Sequence, residues 1–195
     1  CGGFHVFCKT QNNQLFSWGS NTYGELGLGH TDEQYTPIQC SPPSLLNEFI
    51  VDIKCGRDHT LILTSRNEVF SCGKNNYGQL GLQLGTSYSP LFQKIENLSE
   101  ITRIECGKYH SMCIDATNQF YIFGNNEFVV LGLGEDSPSF ILPIKHPFLS
   151  NIIDVSSQGT ISFVKTSKNE IFSLGWRNNV GLVFSDNEVQ FTPIQ

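Results

Sequence analysis

Three histidines recur in one local setting: Cys1-Gly2-Gly3-Phe4-His5, Cys55-Gly56-Arg57-Asp58-His59 and Cys106-Gly107-Lys108-Tyr109-His110. Three imidazoles on one face would suit a metal ion or a general base. Their spacing argues against both. The cysteines that open these segments stand 54 and 51 residues apart. The histidines therefore fall in equivalent places of separate structural units, where packing and loop hydrogen bonding at a strand start is the expected role. The run Gly24-Glu25-Leu26-Gly27-Leu28-Gly29 invites a second reading, as a phosphate cradle. A dinucleotide loop needs glycines in G-x-G-x-x-G order between a strand and a helix; here the order differs and no amphipathic helix follows. The segment also returns in the next unit, as scaffold does.

The seven cysteines, Cys1, Cys8, Cys40, Cys55, Cys72, Cys106 and Cys113, include no C-x-x-C pair. No zinc site is expected from them. Six sit inside or at the end of apolar stretches and read as small buried hydrophobes, which favours a reducing compartment, cytosol or nucleus. Asn97-Leu98-Ser99 fits a glycosylation sequon but nothing else points to secretion. Neither a G-x-S-x-G elbow nor an H-E-x-x-H helix is present, and the carboxylates are scattered singly. No catalytic residue, metal ligand or cofactor is therefore expected.

The elements that position these residues repeat with the same period. Leu15-Phe16-Ser17-Trp18-Gly19, Val69-Phe70-Ser71-Cys72-Gly73, Phe120-Tyr121-Ile122-Phe123-Gly124 and Ile171-Phe172-Ser173-Leu174-Gly175 are four copies of one strand. Asn21 to Leu28 matches Asn75 to Leu82, with weaker copies at Asn126 to Leu133 and Arg177 to Val183. Prolines close the units at Pro37, Pro90, Pro143 and Pro193. The fourth copy of the histidine loop is decayed to Ser157-Gln158-Gly159-Thr160-Ile161. Four agreeing registers mark an internal repeat, with approximate units at 1–49, 50–100, 101–151 and 152–195 of a single repeat domain. In the second unit, Ile50 to Cys55, His59 to Thr64 and Glu68 to Cys72 read as successive strands, with Ser65-Arg66-Asn67 as a turn and Leu91 to Ile95 as a fourth strand. Several are apolar nearly throughout, which implies burial on both faces.

Composition agrees. There is one alanine and one methionine against 15 Phe and 18 Gly, so strand formers outnumber helix formers. At 39% apolar and 15% charged, the 195 residues are too hydrophobic for disorder. No apolar run approaches the ~20 residues of a membrane span. A net charge of −6 repels a phosphate backbone, so direct nucleic-acid binding through this segment is not expected. The fold class is all-β: four-stranded antiparallel blades repeated around an axis as a β-propeller.

The compound pattern resembles the repeats of the regulator of chromosome condensation family, roughly C-G-x-x-H-T, a strand, then V-F-x-W-G-x-N-x-x-G-Q-L-G-L-G. Cys55 to Thr60 and Val69 to Leu82 carry nearly all of it, and Cys1 to Gly29 carries it with Val6 for Thr and Glu25 for Gln. The resemblance implies a seven-bladed propeller, of which this chain holds about four blades. The apolar strand that precedes Cys55 and Cys106 has no counterpart before Cys1, so the chain is expected to be a segment of a longer protein whose open ends invite self-association. The resemblance further implies protein binding: guanine-nucleotide exchange on a Ran-type small GTPase, or a targeting or regulatory role in a larger protein such as a ubiquitin ligase or kinase. Direct chromatin contact would require a basic tail that these residues lack. In the family's exchange factor, Asp and His residues of the G-x-x-H loops lie on the GTPase-facing surface. Carried over by motif, Asp58 and His59 match best, while His5 and His110 match as histidines alone. The variable pairs Gly3-Phe4, Arg57-Asp58 and Lys108-Tyr109 either specify a partner or are ordinary loop variation. The candidate partner-binding residues are thus Phe4, His5, Arg57, Asp58, His59, Lys108, Tyr109 and His110. Cys40 to Phe49 and Glu135 to Leu149 are further candidate segments, with Phe140 and Phe148 expected to pack locally.

Overall fold

The computed structural model describes residues 1–175 except positions 47, 84, 86, 128, 135 and 136. The expectations at Arg177 to Val183, at Glu135-Asp136 and at Pro193 lie outside the described residues. Four antiparallel sheets follow one another along the chain. The first contains β1 (His5–Lys9), β2 (Leu15–Gly19) and β3 (Gln34–Cys40). One 3-10 turn, Pro43–Leu45, leads to the second sheet: β4 (Ile50–Cys55), β5 (His59–Thr64), β6 (Val69–Lys74) and β7 (Tyr88–Lys94). The third holds β8 (Ile101–Cys106), β9 (His110–Asp115), β10 (Gln119–Gly124) and β11 (Phe140–Ser150). The fourth holds β12 (Ile152–Gln158), β13 (Ile161–Thr166) and β14 (Ile171–Gly175). Within each sheet the strands pair in chain order, with no pairing between sheets. The two middle sheets have four strands, and the first and last have three among the described residues. The candidate segment from Glu135 to Leu149 holds most of the long strand β11, which pairs with β10 through two register irregularities.

Local chemistry explains the hairpins. Thr64 to Glu68 closes by backbone hydrogen bonds around Asn67, whose φ of +60° suits asparagine. Asn13, Asn118 and Asn169 hold the equivalent place in the other sheets with φ of 62°, 62° and 64°. Each hairpin thus reverses at one end of its sheet, the hairpin end. The histidine loops and the Asn-x-x-Gly loops gather at the other, the loop end.

Three apolar cores lie between consecutive sheets rather than inside any one. Leu15, Cys40, Ile50, Ile62, Phe70 and Phe92 join the first and second sheets. Leu61, Leu63, Val69, Leu80, Ile104 and Phe123 join the second and third. Met112, Ile114, Phe120, Leu131, Val155 and Val164 join the third and fourth. β5 and β9 are buried at every residue because a sheet covers each face. β1, in the same motif position as β5, is covered on one side and half exposed. β4, β8 and β12 lie side by side across the sheets and line a common axis. The result is an open arc of a β-propeller.

Two expectations need correction on the same ground. Cys40, Cys72, Cys106 and Cys113 are buried, but Cys55 is partly exposed and Cys1 and Cys8 are exposed. Cys8 belongs to β1 of the first sheet, whose outer face no described residue covers, and Cys1 precedes that strand and borders an open recess. Burial pushes the Cys40 thiol up to about 12, as fits a packing residue. Phe140 packs against the core between the third and fourth sheets. Phe148 is not in that core: it is 64% exposed, with its ring edge-on to His146 at 6.0 Å.

Candidate functional site

The loop end is built from the repeat itself. In each of the first three units the glycine after cysteine donates its N–H to the histidine carbonyl, closing the loop: Gly2 to His5 at 2.8 Å, Gly56 to His59 at 2.8 Å and Gly107 to His110 at 2.9 Å. Adjacent loops are then stitched together through backbone: Gly3 to the Gly56 carbonyl, Arg57 to Lys108 and Lys108 to Gly159. A Cβ at Gly56 would lie 2.1 Å from the His59 ring, so only glycine lets the loop rest on that imidazole.

The imidazoles point into the clefts between sheets. His5, His59 and His110 are at most 1% exposed. His5 Nε2 meets Thr60 Oγ1 at 2.9 Å, His59 meets Ser111 Oγ at 3.0 Å and His110 meets Ser162 Oγ at 2.9 Å, each partner lying on the next sheet. The hydroxyls give their own protons onward: Thr60 to the Glu25 carbonyl, Ser111 to the Gln79 carbonyl and Ser162 to Ser157. A hydroxyl has one proton, so in all three pairs the histidine Nε2 is the donor. Nδ1 of His5 and of His59 has no partner among the described residues. Burial pushes His59 down to about 3, and His5 and His110 down to about 4. These three residues were candidates for partner contact; their burial removes them from any surface a partner could meet. They tie neighbouring sheets together instead.

Of their loop neighbours, Arg57, Lys108 and Tyr109 are half-buried and drawn together beside an exposed Phe4. Phe4 is 67% exposed. The Arg57 guanidinium lies 6.0 Å from the Phe4 ring and 5.7 Å from the Tyr109 ring, and donates from Nη1 to the Tyr109 hydroxyl. Lys108 lies 5.1 Å from the Tyr109 ring. Asp58 is nearly buried, between Arg57 Nε at 3.8 Å and Lys74 Nζ at 3.7 Å. Three further residues join this row. Tyr77 packs its ring 5.6 Å from Tyr109, and Lys74 lies 4.4 Å over Tyr23 with a hydrogen bond to its hydroxyl. They were missed because the Asn-x-Tyr-Gly loop reads as scaffold. Tyr23 and Tyr77 share one position, four residues after Gly19 and Gly73, and that shared position was the available signal.

The Asn-x-Tyr-Gly loop does serve as scaffold at its asparagine. Asn21, Asn75 and Asn126 each accept from a leucine N–H five residues on. Those leucines, Leu26, Leu80 and Leu131, are fully buried. At the centre of the loop end the four C-G-x-x turns or their remnant surround a recess of about 540 Å³, bordered by Phe4, Arg57, Lys108 and Gln158.

The geometry has counterparts among known proteins. The regulator of chromosome condensation (RCC1) repeat matches residues 12–63 and 66–114, and a second form of the repeat matches 50–79. The mouse serine/threonine-protein kinase Nek9 is 31% identical over 96% of this chain and 20% of its own length. The chain thus spans about a fifth of that relative. Among solved structures, human WBSCR16 superposes with a TM-score of 0.86 at 18% identity, over 100% of this chain and 51% of its own. Prp20p of Saccharomyces cerevisiae, whose binding properties to Gsp1p and histones have been described, superposes at 0.75 with 26% identity, over 82% and 41%.

Proposed function

The chain belongs to the regulator of chromosome condensation repeat family, and on that premise we propose that it recruits a protein partner through the loop end of its propeller arc, with Phe4, Arg57, Lys108 and Tyr109 as the contact residues. One observation carries this reading. Residues that the repeat leaves free to vary are brought from three separate units into a single solvent-accessible row of aromatic and cationic side chains, with Phe4 exposed and Arg57, Lys108 and Tyr109 half-buried. Aromatic and arginine side chains on a rigid frame are what an interface centre requires. The backbone stitching between loops supplies the frame. The match to a protein kinase over a fifth of its length supports a regulatory role, in which the propeller recruits and another domain catalyses.

Quantitative co-purification with the full-length protein tests this. Phe4→Ala with Tyr109→Ala removes the partner, while Leu46→Ala at the hairpin end leaves it. Loss with Leu46→Ala alone, or with neither, would sink the reading.

The likeness to Prp20p favours a second reading, exchange on a Ran-type GTPase. An exchange factor holds the nucleotide-free GTPase and weakens nucleotide binding by linkage, with no acid–base residue of its own. Release of fluorescent GDP from a GTPase panel measures it. Acceleration that slows in Asp58→Ala supports exchange, and no acceleration across the panel removes it.

A further inference from the structure

The charge lining the axial recess runs against that of the chain. The sequence carries −6 in all, yet the residues that line the recess include Arg57 and Lys108 and no carboxylate. Asp58 is already shared between Lys74 and the Arg57 Nε edge. Lys108 has no acidic partner among the described residues and borders the recess. Arg57 borders it too, with Nη2 free of any partner among the described residues. Its guanidinium is held between Phe4 and Tyr109 and anchored at Nη1 by the Tyr109 hydroxyl. That pre-organises the free edge for a carboxylate, since less rotamer freedom is lost on binding. The carboxylates of Glu68, Glu100, Asp115 and Glu170 belong to strand ends and turns at the hairpin end. Nearer acids are already paired, Glu105 with Lys54 and Asp58 with Arg57 and Lys74; at physiological salt the Debye length is about 8 Å, so the charges that line the recess dominate what a partner meets there.

Resting on the recruitment reading above, we propose that the axial recess seats an acidic segment of the partner protein, its carboxylates received by the free edge of Arg57 and by Lys108, with Phe4 and Tyr109 as apolar walls. A matched acidic side chain beside Arg57 gains a charge-assisted hydrogen bond, and the neutral rim of Gly3, Gly56 and Gly107 lets the segment's backbone approach closely.

Fluorescence anisotropy with the full chain tests this, using a fluorescein-labelled peptide of alternating Glu and Tyr. Comparison peptides carry Gln, or phosphoserine, in place of Glu. The Glu peptide binds, the Gln peptide binds at least about tenfold more weakly, and affinity falls as salt rises from about 50 to about 200 mM. Arg57→Ala and Lys108→Gln each weaken the Glu peptide several-fold, and Lys108→Glu abolishes binding, with thermal melts confirming that all three fold. Lys108 has no ion pair to lose, so its variants keep the test valid if Arg57→Ala unfolds. Binding of the Gln peptide as strongly as the Glu peptide would overturn the proposal. So would binding of the phosphoserine peptide alone, or indifference to both Arg57 and Lys108. If no peptide binds while Phe4→Ala with Tyr109→Ala still removes a co-purifying partner, the acidic segment falls and the recruitment reading stands.

Discussion

His59 donates from Nε2 to Ser111, whose own proton is committed to the Gln79 carbonyl. Protonating Nδ1 would place a charge in a cleft with no acceptor for it. The consequence for stability has a definite sign. His5 and His110 are held down to about 4 and His59 to about 3, whereas the unfolded chain takes up protons near the ordinary 6.5. The unfolded state therefore binds more protons between about pH 4 and 6.5, and stability falls as pH falls through that window. Each such imidazole adds a slope of about 1.4 kcal/mol per pH unit. Thermal melts from neutral pH down to pH 5 should show a declining Tm, with a shallower decline in His59→Gln. A flat profile would contradict the buried, neutral assignment. The hydroxyl partner gives a second readout. Ser111→Ala leaves the His59 N–H without an acceptor and costs about 1–3 kcal/mol in urea unfolding, while Thr60→Ser keeps the bond to His5 and costs far less.

At the scale of the strand, the loop end depends on backbone geometry that only glycine accepts. Gly73, one residue before the end of β6, has φ +103°, and a Cβ there would sit 2.5 Å from the Asp58 carbonyl and 2.8 Å from the His59 Cα. Gly73→Ala must then push the histidine loop away, and should destabilise by more than about 2 kcal/mol by chemical denaturation. Gly85→Ala meets nothing within 4 Å and should stay within about 0.5 kcal/mol of wild type. Equal effects would show that glycine content, not position, governs the loops. Strand existence was legible in the sequence because the physics is local. Ile50–Cys55 and His59–Thr64 are apolar runs bounded by a Gly-Arg-Asp loop and a Ser-Arg-Asn turn, and both strands have those limits. β6 runs on to Lys74 because Gly73, despite its positive φ, still pairs with His59 and Ser89. The direction of the histidines was not legible. Position five of the loop starts a strand, but whether its side chain enters a cleft depends on the neighbouring sheet, which only the assembled arc supplies. The same dependence hid Tyr23 and Tyr77, whose partners, Lys74 and Tyr109, come from the following unit.

At the scale of the whole molecule, stability comes from the clefts, since all three cores join one sheet to the next. A sheet with one neighbour therefore carries unspent apolar surface. β5, enclosed on both sides, has no exposed residue, whereas β1 in the same motif position is buried only at His5. β1 is also an edge strand, hydrogen-bonded to β2 alone, in the place where β5 is flanked by β4 and β6. On the fourth sheet Phe163 and Ile171 are 43% and 55% exposed. An unpaired strand edge beside apolar surface is a template for another chain. The isolated 195-residue chain should therefore associate with itself in sedimentation velocity, its weight-average mass rising with concentration. Lysine substitutions at Val6 and Phe163, on the first and fourth sheets, should shift it toward monomer without lowering Tm by more than a few degrees, since neither residue lies in a core between sheets among the described residues. A sharp monomer at all concentrations, melting cooperatively, would mean that the surfaces of the first and fourth sheets do not drive association.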